Sequence, residues 1–241
     1  MVRTTSDLPL FFLVFSAIYL LSYFLIFRKW THKQRSEASS SFTSLAHGSL
    51  SVAMAVRLLL RSPAASLASP NSEQHTATLE FSLAYFLVDT LHYLVFFPNN
   101  KIFVLHHVAT IYVLVTCCYV VRHGAHGFLF LLLLAEITSP LQNLWSISGY
   151  RKAESKIAAS LHQIISPPFL GIYSVVRGGL GPLYAVKIVG FYAGGGGQGK
   201  VPVWAWLSWM VIIVVAIIVS VLWVRQQWCR YACLQDEKKR R

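Results

Sequence analysis

Asp89, His92, His106, His107, Glu136, Ser139, Asn143 and His162 are polar or ionisable side chains set inside otherwise apolar runs. A carboxylate beside an imidazole fixes the tautomer of the ring and strengthens it as a base, which suits proton transfer from an amine or hydroxyl. Spacing draws these residues together. Asp89 and His92 are three apart and share a helical face, as do Glu136 and Ser139, with Asn143 one turn further on. The link Pro98-Asn99-Asn100-Lys101 is so short that the runs before and after it must be antiparallel neighbours. At about 1.5 Å of rise per residue, His92 lies roughly 7 Å from the end of its run, level with His106 and His107 at roughly 6–8 Å from the start of theirs, and Asp89 lies one turn deeper at roughly 12 Å. Counted back from Ile147 at the same rise, Asn143 lies roughly 6 Å and Glu136 roughly 16 Å deep. His162 enters the same layer from the following run.

This layer predicts one polar cavity in half of a helical bundle. His106, His107, Asp89 and Glu136 are its candidate catalytic residues; His92, Ser139, Asn143 and His162 are its candidate substrate-binding residues. An ionisable group at bilayer depth costs about 2.5–3.5 kcal/mol, so its presence calls for a site or a paired contact. An interhelical hydrogen-bond lattice that only fixes packing uses the same residue types, and both readings stay open. No Cys-x-x-Cys or His/Cys spacing appears, so neither a metal site nor a bound cofactor is expected.

The elements that position these residues follow from the apolar runs. The chain of 241 residues is 55% hydrophobic and only 12% charged, about half the charged fraction of a soluble domain. Runs of roughly 20 apolar residues match a hydrocarbon core about 30 Å thick. They fall at 8–27, 42–60, 78–97, 102–121, 127–147, 157–176 and 201–224. The second is the weakest, interrupted by His47, Gly48 and several serines. The sixth is followed by Arg177-Gly178-Gly179-Leu180-Gly181-Pro182, which weakens a continuous helix; the apolar piece 183–193 beyond it either extends that helix or re-enters the bilayer. The fold class expected is all-α: a polytopic membrane bundle of about seven transmembrane helices. Residues 1–41 form an N-terminal span and basic loop, 42–224 the main helical domain, and 225–241 a basic tail.

The net charge of +12 lies mainly in turns and tail, which places it against anionic headgroups rather than nucleic acid. Arg28, Lys29, Lys33 and Arg35 follow the first run, so that run is an uncleaved span with the N-terminus lumenal and the C-terminus cytosolic. Trp204, Trp206 and Trp209 at one end of the last run, with Trp223 and Trp228 at the other, suit an interfacial aromatic belt. Cys117 and Cys118 are expected as small core residues. Cys229 and Cys233 suit either free thiols or reversible palmitoylation. The terminus Lys238-Lys239-Arg240-Arg241 resembles a dilysine retrieval signal, which implies coat-protein recognition and residence in the endoplasmic reticulum membrane; a headgroup-binding tail is the other reading.

The motifs Asp89-Thr-Leu-His92-Tyr, Leu105-His106-His107-Val-Ala-Thr110, Arg122-x-Gly124 and Leu134-Ala-Glu136-Ile-Thr-Ser139-Pro140-Leu-Gln-Asn143-Leu-Trp145 resemble those of the TLC domain. That membrane module is shared by ceramide synthases and a wider set of proteins. In ceramide synthases the His pair is followed by a His-Asp-x-x-Asp pattern, and these groups serve N-acylation of a sphingoid base by acyl-CoA. Here Glu136 falls near the first aspartate and Ser139 near the second, so the chain is similar to the non-ceramide-synthase branch. The resemblance implies lipid handling in sphingolipid, ceramide or acyl-lipid metabolism. It is acyltransferase-like with acyl-CoA as co-substrate in one reading. In the other it is a non-catalytic lipid-binding, transport or cargo-handling protein of the early secretory pathway. Membrane lipids are its expected partners.

Overall fold

The computed structural model describes residues 6–63 and 65–239, excluding the side chains of 230 and 232–239. Among the described residues there is no strand. Helix α1 (Leu8–Leu21) ends in a π-helical turn, Ser22–Ile26; α2 is His32–Arg61 and α3 Glu73–Phe96. Helix α4 (Lys101–Val115) also ends in a π-helical turn, Thr116–Val121, before α5 (Ala125–Glu136) and α6 (Ser139–Arg151). Helix α7 (Lys156–Val175) passes through a third such turn, Val176–Leu180, into α8 (Gly181–Ala193), and α9 is Val203–Lys239. Among the described residues, seven helical stretches are long and apolar enough to cross a membrane, α5–α6 and α7–α8 each making one of them. The protein is an all-α multi-pass bundle, as its sequence predicts.

Three details differ from the sequence reading, and one alternative it left open is decided. Helix α2 begins ten residues before the apolar run at 42, because Thr31 caps it by accepting from the Gln34 N–H. The serine-rich first turns remain helical because their hydroxyls donate to carbonyls of the same helix, Ser36 to Lys33 and Ser39 to Arg35. The basic loop is therefore confined to 27–31. The fifth run is broken at Ile137–Thr138, since Pro140 has no N–H for the carbonyl of Glu136 four residues back. Residues 183–193 continue the sixth span past the Val176–Leu180 turn instead of re-entering. Trp209 does not face outward as a belt residue would. It is fully buried, and its Nε1 donates to Thr116 Oγ1 at 2.8 Å.

Helix α3 is the most buried span. It packs against α1, α2 and α4, while α2 also packs along α5 and α6. Helix α9 closes the bundle against α4, α7 and α8. Phe15, Leu79, Leu83, Leu129 and Ile188 fill the main core, and Phe169 leads a smaller cluster on α7 with Leu170 and Tyr173. Leu13, Leu60, Leu105, Ile157 and Val186 point outward, a surface suited to lipid.

The Arg122-x-Gly124 motif makes the α4–α5 turn. Arg122 has φ 57° and Gly124 φ 94°, the left-handed region that disfavours most side chains. A Cβ on Gly124 would meet Tyr192 Oη at 3.1 Å. Asn71 holds this turn, donating through Nδ2 to the Cys117 carbonyl and accepting at Oδ1 from the Ala125 N–H. The motif is a structural corner, remote from the polar layer.

Candidate functional site

A cavity of about 390 Å³ runs through the bundle interior between α2, α3, α4, α5, α6 and α9. Asp89, His106, His107, Glu136, Ser139 and Asn143 all line it. Its further wall, on α5 and α9, is mainly apolar, with Leu131, Leu132, Ile213 and Ile217.

Asp89 is buried at the centre of the polar wall. Its Oδ1 accepts from Ser40 of α2 at 2.6 Å, and its Oδ2 lies 2.8 Å from His107 Nε2 on α4. The other ring nitrogen of His107, Nδ1, lies 2.8 Å from the Phe103 carbonyl, one turn back on its own helix. A carbonyl only accepts, so Nδ1 carries a proton. Nε2 then meets Asp89 either as an N–H facing a carboxylate or as the acceptor of the acid's proton. In both states the pair is neutral overall, which lowers the cost of burying it. Both nitrogens of His107 are committed.

His106 differs. Adjacent helical residues point about 100° apart, and this turns His106 away from Asp89. Among the described residues its ring makes no hydrogen bond, and its contacts are the edges of Phe86 and His107. Of the two histidines, His106 has nitrogen capacity to spare on the cavity wall.

A second acid–imidazole pair was not legible as one in the sequence. Glu136 Oε2 lies 3.7 Å from Nδ1 of His47 on α2, and His47 Nε2 lies 3.1 Å from Ser82 Oγ. His47 stands in the sequence only as an interruption of the weak second run; its signal was being the one histidine at depth in that run. The ring of Tyr85 stacks on it at 4.1 Å, and the Tyr85 hydroxyl donates at 3.4 Å, a long contact, to Asp89 Oδ2. Tyr85 therefore lies between the two pairs.

The break between α5 and α6 places Glu136 at the end of one helix and Ser139 at the start of the next. Gly48 permits this, since a Cβ there would lie 2.8 Å from Ser139 Cβ and 3.1 Å from Glu136 Oε2. Asn143 donates from Nδ2 to Ser44 Oγ at 3.0 Å and to the Ser139 carbonyl at 2.8 Å, tying α6 to α2.

Two of the expected substrate-binding residues lie outside the cavity. His92 is buried, but its Nδ1 meets the hydroxyl of Tyr19 on α1 at 2.8 Å and its ring packs among Tyr93, Phe96 and Phe97. It is one turn from Asp89 on α3, yet its direction is toward α1. His162 stacks on Trp145 at 4.8 Å, with Nδ1 3.0 Å from the Trp145 carbonyl, and so serves the α6–α7 contact.

Arg177 joins the site from the π-helical turn after α7. It lines the cavity, and its Nη2 donates to the carbonyl of Ala135. That carbonyl belongs to the last turn of α5, where the break before Pro140 leaves carbonyls without helical donors. In the sequence Arg177 reads as part of a helix-weakening stretch, since its neighbours are glycines. Among the described residues, no group of three or more His, Cys, Asp or Glu side chains is placed to hold a metal ion. The expected signal at Lys238 and Lys239 and the thiol of Cys233 fall on side chains outside the described residues, as do Arg240 and Arg241 entirely; Cys229 is exposed.

Residues 37–229 match the TLC domain, from the second turn of α2 into α9. A TLC domain-containing protein of Arabidopsis thaliana is 48% identical over 224 residues, covering 92% of this chain and 88% of the relative. The matched region contains every helix that lines the cavity and leaves α1 before it. With most of its length matched and a full-length relative at this identity, the chain belongs to the TLC domain family of membrane proteins.

Proposed function

We propose that this protein handles an acyl lipid inside the bilayer, in sphingolipid, ceramide or related acyl-lipid metabolism or homeostasis. The head of the lipid sits against the acid–imidazole wall and its chain along α5 and α9. The observation that carries this reading is one cavity with two kinds of wall: Asp89, His106, His107 and Glu136 on one side, leucines and isoleucines on the other. An amphiphile satisfies both, whereas water alone would leave the apolar side unfavourably wetted.

The chemistry open to such a site is acyl transfer with acyl-CoA as co-substrate, and its base is His106. His106 takes the proton of an amine or hydroxyl as that atom adds to the thioester carbonyl. The carbon–sulfur bond then breaks, and the leaving thiolate recovers the proton, giving an amide or ester and free CoA. His107 and Asp89 act by position, holding the polar wall. The non-catalytic reading, binding or carriage of lipid or cargo in the early secretory pathway, is favoured by the commitment of both His107 nitrogens. In either case we place the protein in the endoplasmic reticulum membrane, with the N-terminus lumenal and coat-protein recognition at Lys238 and Lys239; the basic turns and tail support this.

Purified protein given acyl-CoA and a panel of long-chain amines, lysolipids and diacylglycerol separates the two versions. Release of free CoA that depends on the acceptor and is lost in His106→Gln establishes the enzyme. Stoichiometric lipid binding without CoA release establishes the carrier, and neither result would leave lipid handling without support.

A further inference from the structure

Arg177 is a cation on the cavity wall whose charge no carboxylate among the described residues answers. The Asp89 carboxylate faces His107, and the Glu136 carboxylate faces His47 across the α2 contact. Among the described residues, no carboxylate forms an ion pair with Arg177. A guanidinium has five N–H donors, and the Ala135 carbonyl uses one. Nε is buried and without a partner. The face of Tyr173 lies 5.8 Å from the guanidinium carbon and supports its plane without accepting those protons. The carbonyl end of α5 carries only about half a negative charge, so the cap balances part of the cation. Four N–H donors and the positive charge of this cavity-lining residue remain after the Ala135 carbonyl takes one, and the guanidinium fork matches a planar carboxylate or a phosphate.

We propose that Arg177 is the anion-recognising group of the cavity, so that the lipid bound there carries a phosphate or carboxylate at its head. The proposal rests on the lipid-handling reading above and narrows its substrate class. It separates that class from neutral amphiphiles of the same chain length, which satisfy the apolar wall equally well. It also divides the cavity by charge: Asp89, His107 and Glu136 meet the neutral donors and acceptors of the ligand, and Arg177 meets its anion.

The test uses full-length protein in neutral-lipid nanodiscs and two pairs of matched lipids: phosphatidic acid against diacylglycerol with identical chains, and oleic acid against oleyl alcohol. In the wild type the anionic member of at least one pair is expected to bind about tenfold tighter, the scale of added charge-assisted hydrogen bonds. The first pair identifies a phosphate headgroup and the second a free carboxylate. In Arg177→Gln that preference is expected to vanish while binding of the neutral member persists, which also reports that the variant is folded. If Arg177→Gln does not accumulate, Arg177→Lys carries the test, because it keeps the charge and loses the fork; the preference is then expected to fall several-fold. Equal binding within both pairs by the wild type, or a preference unchanged in the variant that folds, overturns the proposal and leaves lipid handling standing. Binding of none of the four lipids overturns the lipid-handling reading instead.

Discussion

His106 and His107 are neighbours in the chain with different bonding, and their replacements should differ accordingly. His107→Gln breaks a buried pair and leaves Asp89 with only Ser40 at hydrogen-bond distance and Tyr85 at a long one. Removing one partner of such a pair costs about 3–5 kcal/mol, so thermal unfolding in detergent should shift down by several degrees. The double variant with Asp89→Asn should recover part of that loss. His106→Gln removes no hydrogen bond within the bundle and should leave the unfolding temperature near the wild-type value. If acyl transfer occurs, it should be lost in that variant. An inactive but fully stable His107→Gln would reverse the two roles.

The meeting of α3 and α4 at these residues was legible in the sequence because the α3–α4 turn is short, although the rise per residue set His92 level with the histidine pair and it is Asp89, one turn further in, that meets His107. Direction was not. His92 shares a face with Asp89 to within the three-residue offset, yet that offset suffices for Tyr19 to claim it. Nothing local to His92 names a partner 73 residues earlier. His47 was missed for a related reason, since serines around it made its run read as a weak span. The hydroxyls of Thr43, Ser49 and Ser51 donate to carbonyls of their own helix and so do not oppose burial.

At the scale of elements, the site depends on α2 lying close to the α5–α6 break. Gly48 sits at that contact, and its absent side chain sets the approach of Ser139 and Glu136. Gly48→Ala would improve helix propensity by about 1 kcal/mol on its own. Here it should be net destabilising, since neither Ser139 Cβ nor the α5 backbone is the free end of a flexible chain. A raised unfolding temperature in detergent would show that the contact is looser than this. Pro140→Ala restores an N–H for the Glu136 carbonyl and should straighten the break. The expected outcome is a variant that is folded and at least as stable but impaired in lipid binding, because Glu136 and Ser139 then turn relative to His47 and Gly48. Unimpaired binding would show that the break is dispensable. The break itself was half legible: Pro140 was in view, but a continuous apolar run concealed that the helix ends before it.

For the whole molecule, if each of the seven candidate spans among the described residues crosses the membrane, the two termini lie on opposite faces. An N-terminal tag should be protected, and a C-terminal tag reachable by antibody, after selective permeabilisation of the plasma membrane; both tags on one side would remove a span from the count. Substituting Lys238 and Lys239 with Ser should release the protein to later compartments if the tail is a retrieval signal, and an unchanged distribution would reduce it to a headgroup-binding segment.

The claim on which the account turns is that the interior cavity holds an acyl lipid, and stoichiometric lipid retention after delipidation measures it most directly. Ala216 of α9 lines the cavity, and Ala216→Phe places a ring in that space. Native mass spectrometry of wild type and variant, released from the same membranes and washed in the same detergent, should find a lipid adduct at a fixed stoichiometry on the wild type. The variant should lack it while its unfolding temperature is unchanged or raised, because the ring fills a void. An adduct retained at equal stoichiometry by the plugged variant, or none on the wild type, would contradict the account.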